Sequence, residues 1–107
     1  RAAIPLMGNE RVRERRGPKH RPHELLAGPA RLTQGLAVDR PWGGTDLLDP
    51  SSRLRLETDG WRPANDDIRT GPRTGVREAA DVPWRFWIDG VPEVSRYTRH
   101  PEAAPPI

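Results

Sequence analysis

A chain of 107 residues has room for one small domain, and at that size a hydrophobic core only just offsets the conformational entropy of folding. Leu, Ile, Val and Phe make up slightly less than a fifth of it, against 10 Gly and 13 Pro, which predicts a folded but loop-rich piece needing more chain around it, not a low-complexity segment. The zero cysteine count excludes disulfides, thiolate zinc sites and cysteine nucleophiles, no apolar run reaches membrane-spanning length, and no signal-peptide pattern leads the first residues, so a soluble cytoplasmic protein is expected. The net charge of +3 is carried almost wholly by arginine, Lys19 being the single lysine. Such an excess suits a nucleic-acid partner, and it equally fits the codon usage of a GC-rich genome.

Arg1-Ala2-Ala3-Ile4-Pro5-Leu6 starts abruptly, as though cut from something longer. After Pro5 the pattern predicts a helix over 9–16, with Asn9 as N-cap and Glu10 in the first turn, stopped by Gly17-Pro18. The run Arg11, Arg13, Arg15, Arg16 reads either as a solvated helix face or as a phosphate-binding ridge. Residues 21–38 read as helix, Gly-Pro punctuation, helix. Leu25 and Leu26 lie on the first of these, and Pro29 falls at the first turn of the second, where its missing N–H costs nothing. Over 29–37, Leu32, Leu36 and Thr33 would form the buried face.

Residues 39–67 are mostly turns around the alternating segment Arg53-Leu54-Arg55-Leu56-Glu57, which predicts a half-buried strand. A second extended piece is expected over 68–76, interrupted at Gly71-Pro72. Trp84-Arg85-Phe86-Trp87-Ile88, closed by Asp89-Gly90, is the best strand, with Trp84, Phe86 and Ile88 on one face and Trp84 expected to fill core. Residues 99–107 are expected to be a disordered tail, leaving 1–98 as the structured portion. The tryptophans at 42, 61, 84 and 87 could stack on bases. His20, His23 and His100 lack metal-ligand company, and Glu57, Asp66 and Asp67 are a weak candidate carboxylate pair with no hydrophobic pocket signal around them.

Five collinear segments carry a resemblance spanning the chain to about Tyr97. They are Arg1-Ala2-Ala3-Ile4-Pro5-Leu6-Met7-Gly8 followed by Arg13-Glu14-Arg15-Arg16-Gly17; Leu25, Leu26 and Gly28-Pro29-Ala30-Arg31-Leu32-Thr33-Gln34; Asp39-Arg40 with Gly44-Thr45-Asp46-Leu47; Arg73-Thr74-Gly75-Val76; and Pro83-Trp84-Arg85-Phe86-Trp87-Ile88 with Gly90 and Val94-Ser95. In that order and approximate spacing they resemble the carboxy-terminal portion of the alkyladenine (3-methyladenine) DNA glycosylase family. Two departures stand out: Gly35 where the family usually has Ala, which softens a helix by up to about 1 kcal/mol, and Thr74 where an aliphatic residue is common.

The resemblance implies an α+β fold, a curved, mainly antiparallel β core with short peripheral helices, of which this chain holds part. It also implies an enzyme that flips an alkylated or deaminated purine out of duplex DNA and hydrolyses its glycosidic bond, as a monomer at full length, with no metal and no cofactor, in a bacterial cytoplasm at the nucleoid. Extrusion is required because the bond is inaccessible within the base stack. Arg1 would help position the attacking water, and the backbone carbonyl of Thr74 would accept a hydrogen bond from it. Gly75 would allow close backbone approach, and Arg31 and Arg40 would contact DNA, Arg31 from a helix start that already favours anions. The family's general-base Glu, its aromatic base pocket and its wedging Tyr lie upstream of the first segment, so this chain is expected to be inactive alone. Without the resemblance each residue has an ordinary reading: Arg1 and Arg31 as exposed arginines, Thr74 as a strand residue, Gly75 as a turn glycine. Composition alone would favour a non-catalytic, Arg-rich nucleic-acid-binding or ribosome-associated segment.

Overall fold

The computed structural model describes residues 1–105, which fall into two compact units, Arg1–Arg62 and a second beginning at Pro63. In the first unit, α1 spans Asn9–Arg16 and α2 spans Pro29–Leu36. The α1 cap is Gly8, one residue before the expected Asn9: Gly8 adopts φ 72 and its carbonyl accepts from the Val12 N–H at 3.1 Å. That left-handed backbone is open to glycine at no steric cost, and Asn9, already helical, donates its side-chain N–H to the Pro5 carbonyl at 3.3 Å. Proline opens α2 as expected, and Ala37 closes it in the left-handed conformation (φ 54), its N–H and that of Val38 returning to the carbonyls of Gln34 and Thr33. The helix expected from Arg21 is a single 3-10 turn, Pro22–Glu24.

The buried face of α2 differs from the expected one. Gly35 is buried and Leu32 half-buried, whereas Leu36 is 42% exposed, and the Thr33 hydroxyl donates to carbonyls of its own helix. The cause is close packing at Gly35, where an added Cβ would lie 2.3 Å from Leu26 Cδ2 and 3.3 Å from Val12 Cγ1. Val12, Leu25 and Leu26 form the core here, with Ala3 and Leu32 against it. Val12 is the one buried residue of α1, so the helix is held largely by its arginines. Arg15 donates to the Gly35 carbonyl at 2.9 Å, and Arg16 donates to the Leu25 carbonyl at 3.0 Å and to Gln34 Oε1 at 2.8 Å. Gln34 Nε2 returns a bond to the Arg15 carbonyl, and Arg13 reaches the His20 carbonyl. Three of the four arginines of the supposed phosphate ridge thus tie the helix to its neighbours through charge-assisted bonds.

The strand expected over 53–57 does not form. One backbone bond, Leu56 N–H to the Leu47 carbonyl at 2.8 Å, crosses this stretch, and Leu56 is 68% exposed. The preceding chain is folded into side-chain turns, with Asp46 accepting from Leu48 N–H and Asp49 from Ser51 N–H, and no second strand lies alongside among the described residues. Alternation gives a strand only where a partner exists to pair with.

In the second unit, β1 (Ile68–Gly71) and β2 (Arg85–Ile88) pair antiparallel, Ile68 opposite Ile88 and Thr70 opposite Phe86. The extended piece anticipated over 68–76 ends at Pro72, which has no N–H to continue a ladder. Ile68, Thr70, Phe86 and Ile88 share one face; Arg69, Gly71, Arg85 and Trp87 share the other. On the second face an added Cβ at Gly71 would meet the Trp87 ring at 3.1 Å, and the Arg85 guanidinium sits 4.8 Å from the same ring. An open hollow of about 400 Å³, lined in part by Pro72, Trp87, Val91, Val94 and Tyr97, borders that side. On the first face Phe86 is 69% exposed, and Trp84, expected in the core, is 62% exposed beneath the Arg73 guanidinium. The α+β class is as expected, with a sheet of two strands among the described residues. Of the tail, Arg99 bonds the Asp81 carboxylate and the Ala104 carbonyl; Pro106 and Ile107 lie outside the described residues.

Candidate nucleic-acid interface

Three of the candidate residues belong to the first unit. Residues 1–3 run antiparallel to 26–28: Ala2 bridges Ala27, the Ala3 N–H donates to the Leu26 carbonyl at 3.1 Å, and the Gly28 N–H donates to the Arg1 carbonyl at 3.0 Å. Gly28 caps α2, so this short ladder brings the exposed Arg1 to the amino end of the helix that carries Arg31 in its first turn. Arg40 opens the 3-10 turn Arg40–Trp42. All three side chains are exposed, and nearby Trp42 is half-buried under the Arg53 guanidinium, 5.8 Å from its ring.

Glu24 moderates this basic end. Its carboxylate accepts from the Arg21 N–H at 3.1 Å, and that bond, followed by the charges of His23, Arg21 and Arg31, holds its pKa below the ordinary glutamate value. A depressed folded-state pKa contributes stability that is present above the unfolded value, about 4.3, and is lost as pH falls through the folded value. Acidification through that range is therefore expected to loosen the Arg21–Leu25 turn, and Glu24→Gln to flatten the acid side of the profile, read as amide exchange at Arg21.

Thr74 and Gly75 belong to the second unit, in the connection after β1. Gly75 has φ 68 and donates its N–H to the Thr98 carbonyl at 2.8 Å; Thr74 is exposed. With Arg73 laid on Trp84, this turn is tied down on both sides. The structure thus groups Arg1 with Arg31, and Thr74 with Gly75, in two different compact units. Sequence reading missed the Thr98 carbonyl and the Arg73–Trp84 stack. The first leaves no sequence signal; the second could have been suspected from an arginine in a glycine turn and an aromatic bordering a strand. Of the weak carboxylate candidates, Glu57 pairs with Arg55 at 3.1 Å, and Asp66 and Asp67 sit in the 3-10 turn Asn65–Asp67. Among the described residues no three His, Asp or Glu side chains gather as a metal site, and no helix is long and apolar enough to cross a membrane.

The class of protein that shares this chain's sequence is the DNA glycosylases. A model of the methylpurine-DNA glycosylase family matches residues 1–92. A Mycobacterium tuberculosis protein named "Putative 3-methyladenine DNA glycosylase" is 44% identical over 103 residues, covering 96% of this chain and 49% of its own length. Proteins of the same name from Streptomyces avermitilis (44% over 101 residues, 94% of this chain and 47% of its own length) and Burkholderia lata (39% over 101 residues, 94% and 46%) match similarly. The chain belongs to the methylpurine-DNA glycosylase family, and it spans about half the length of the curated relatives it matches.

Proposed function

We propose that these residues are the carboxy-terminal portion of a base-excision repair glycosylase acting on alkylated or deaminated purines in duplex DNA. Once the target nucleotide is flipped out, a water attacks the anomeric carbon, the bond to the purine nitrogen breaks, and the water's proton passes to a carboxylate outside this chain. Arg1 and the Thr74 carbonyl hold that water, a task in which placement carries much of the rate. Arg31 and Arg40 contact the DNA backbone, and Gly75 allows it close to the turn. The full-length protein works as a monomer in the cytoplasm, at the nucleoid, on the curved β core the family resemblance implies. The observation that carries this reading is the collinear family match over residues 1–92, which includes Arg1, Arg31, Arg40, Thr74 and Gly75; the left-handed backbone at Gly75 supports it.

The test is a single-turnover assay on duplexes containing hypoxanthine or 3-methyladenine. The isolated chain is expected to release no base above background; measurable excision would mean that the general base lies within these residues, contrary to the proposal. In the assembled enzyme, Arg31→Ala should weaken DNA binding and reduce the slope of log affinity against log salt by about one charge. An unchanged slope would remove Arg31 from the interface.

A further inference from the structure

The peptide unit joining Thr74 to Gly75 carries the carbonyl assigned to the attacking water, and it is fastened on both sides within the second unit. On the Gly75 side the N–H donates to the Thr98 carbonyl at 2.8 Å. A trans peptide is planar, so the Thr74 carbonyl points opposite that N–H, away from Thr98. One hydrogen bond leaves the plane free to swing about its own axis, and Thr74 itself is exposed.

The second fastening lies one residue earlier. The Arg73 guanidinium sits 5.6 Å from the centroid of the Trp84 ring and pairs with no carboxylate among the described residues. Trp84 is fixed in turn: it immediately precedes β2, its N–H donates to the Val82 carbonyl at 2.8 Å, and the last pair of the ladder sets Gly71 opposite Arg85. Pro72, with its restricted φ, carries the chain from the end of β1 to Arg73. The stack therefore continues the sheet past the point where its hydrogen bonds stop. Indole attracts a cation more strongly than the other aromatic rings, and a planar guanidinium can lie along its face.

We propose that Trp84, acting through the Arg73 guanidinium, is a positioning residue for base excision: the stack holds the turn so that the Thr74 carbonyl faces the attacking water. The inference deepens the function proposed above and rests on that reading for the identity of the water. Its signature is a loss of rate in the bound complex with affinity kept, because a carbonyl turned aside leaves the DNA contacts of Arg31 and Arg40 in place.

The experiment uses the full-length protein that contains this chain. Single-turnover release of hypoxanthine is measured over a range of enzyme concentration and normalised to the folded, DNA-binding fraction, which separates the maximal rate from half-saturation. Trp84→Ala should lower the maximal rate about tenfold and move half-saturation by less than about twofold. Trp84→Phe, which keeps an aromatic face, should stay within about threefold of the unsubstituted enzyme. Arg73→Met keeps a long side chain without the charge and should match Trp84→Ala; the double substitution should be no slower than either single one, because both remove one contact. An unchanged rate in Trp84→Ala, a Trp84→Phe enzyme as slow as Trp84→Ala, or losses that multiply in the double variant would overturn the proposal. So would an Arg73→Met enzyme whose half-saturation rises while its salt slope falls by about one charge, since the guanidinium would then be on DNA and not on the ring. Amide exchange at Gly75 gives a readout independent of base release: Trp84→Ala should speed it about tenfold, and exchange as slow as in the unsubstituted protein would likewise overturn the proposal. An unsubstituted protein that releases no base would refute the function proposed above, while exchange at Gly75 still decides whether the stack holds the turn.

Discussion

Leu26→Ala in the isolated chain is expected to cost the first unit about 3 kcal/mol, a large share of the roughly 3–9 kcal/mol available to a unit of this length. Leu26 is 2% exposed and is one of only three residues in the local core. Its Cδ2 also occupies the space beside Gly35 where a Cβ would stand. Truncation opens a hole between α1 and α2 that neither backbone can collapse to fill, since both are pinned by the bonds of Arg15 and Arg16 to Gly35, Leu25 and Gln34. A second substitution makes the argument specific. Gly35→Ala alone sets a helix-propensity gain of about 1 kcal/mol against an overpacking cost of about 1–3 kcal/mol. In the Leu26→Ala background the 2.3 Å clash is removed and only the 3.3 Å approach of Val12 Cγ1 remains, so the pair should show a favourable coupling of about 1 kcal/mol. Urea melts followed by far-UV circular dichroism test this, with Leu48→Ala as a surface control; strict additivity would show that the two side-chain positions do not compete for one space.

The second large effect concerns the turn at residue 74 and separates a backbone role from a side-chain role. In the assembled enzyme, Thr74→Ala should leave kcat within about twofold, because the role proposed for residue 74 belongs to its backbone carbonyl, which the substitution keeps. Gly75→Val should lower kcat by about a hundredfold, the scale associated with misplacing a reacting group by about 1 Å. Gly75 sits at φ 68 with its N–H on the Thr98 carbonyl. A residue with a Cβ pays about 1–2 kcal/mol to remain in that conformation, β-branching adds to it, and any escape rotates the preceding carbonyl. KM for the lesion duplex should move much less than kcat. A Thr74→Ala enzyme as impaired as Gly75→Val would assign the function to the side chain and remove the carbonyl from the mechanism.

How much of this was legible in the sequence depended on whether the deciding partner was local. Pro29 and the glycine stop at 17 act on their own backbone, and the start of α2 and the end of α1 could be read from them. The faces of β2 were equally legible, since alternation is a property of one strand. Burial was not: Trp84, expected in the core, is 62% exposed beneath the Arg73 guanidinium, because burial depends on what packs against a face and not on the strand's own alternation. Leu54 and Leu56 show the converse, an alternating pattern with no neighbouring strand to pair with. Gly35 read as a weakness in α2, and only the approach of Leu26 and Val12 shows what its missing Cβ makes possible. For the candidate site, motif order is what proposes Arg1, Arg31, Arg40, Thr74 and Gly75, while the main-chain bonds beside two of them, Gly28 N–H to the Arg1 carbonyl and Gly75 N–H to the Thr98 carbonyl, leave no side-chain trace in the sequence.

The guanidinium bonds that fasten α1 give the arginine bias of this chain a meaning that composition could not supply. A GC-rich genome would account for an abundance of arginine but not for the placement of Arg16, whose planar fork reaches the Leu25 carbonyl with Nε and Gln34 with Nη1 at the same time. A lysine offers one compact ammonium at the end of a flexible stem and has no donor at the position of Nε. Lineages drifting toward AT are thus freer to exchange exposed arginines such as Arg11 for lysine than to exchange Arg16, where genomic pressure meets a geometric constraint.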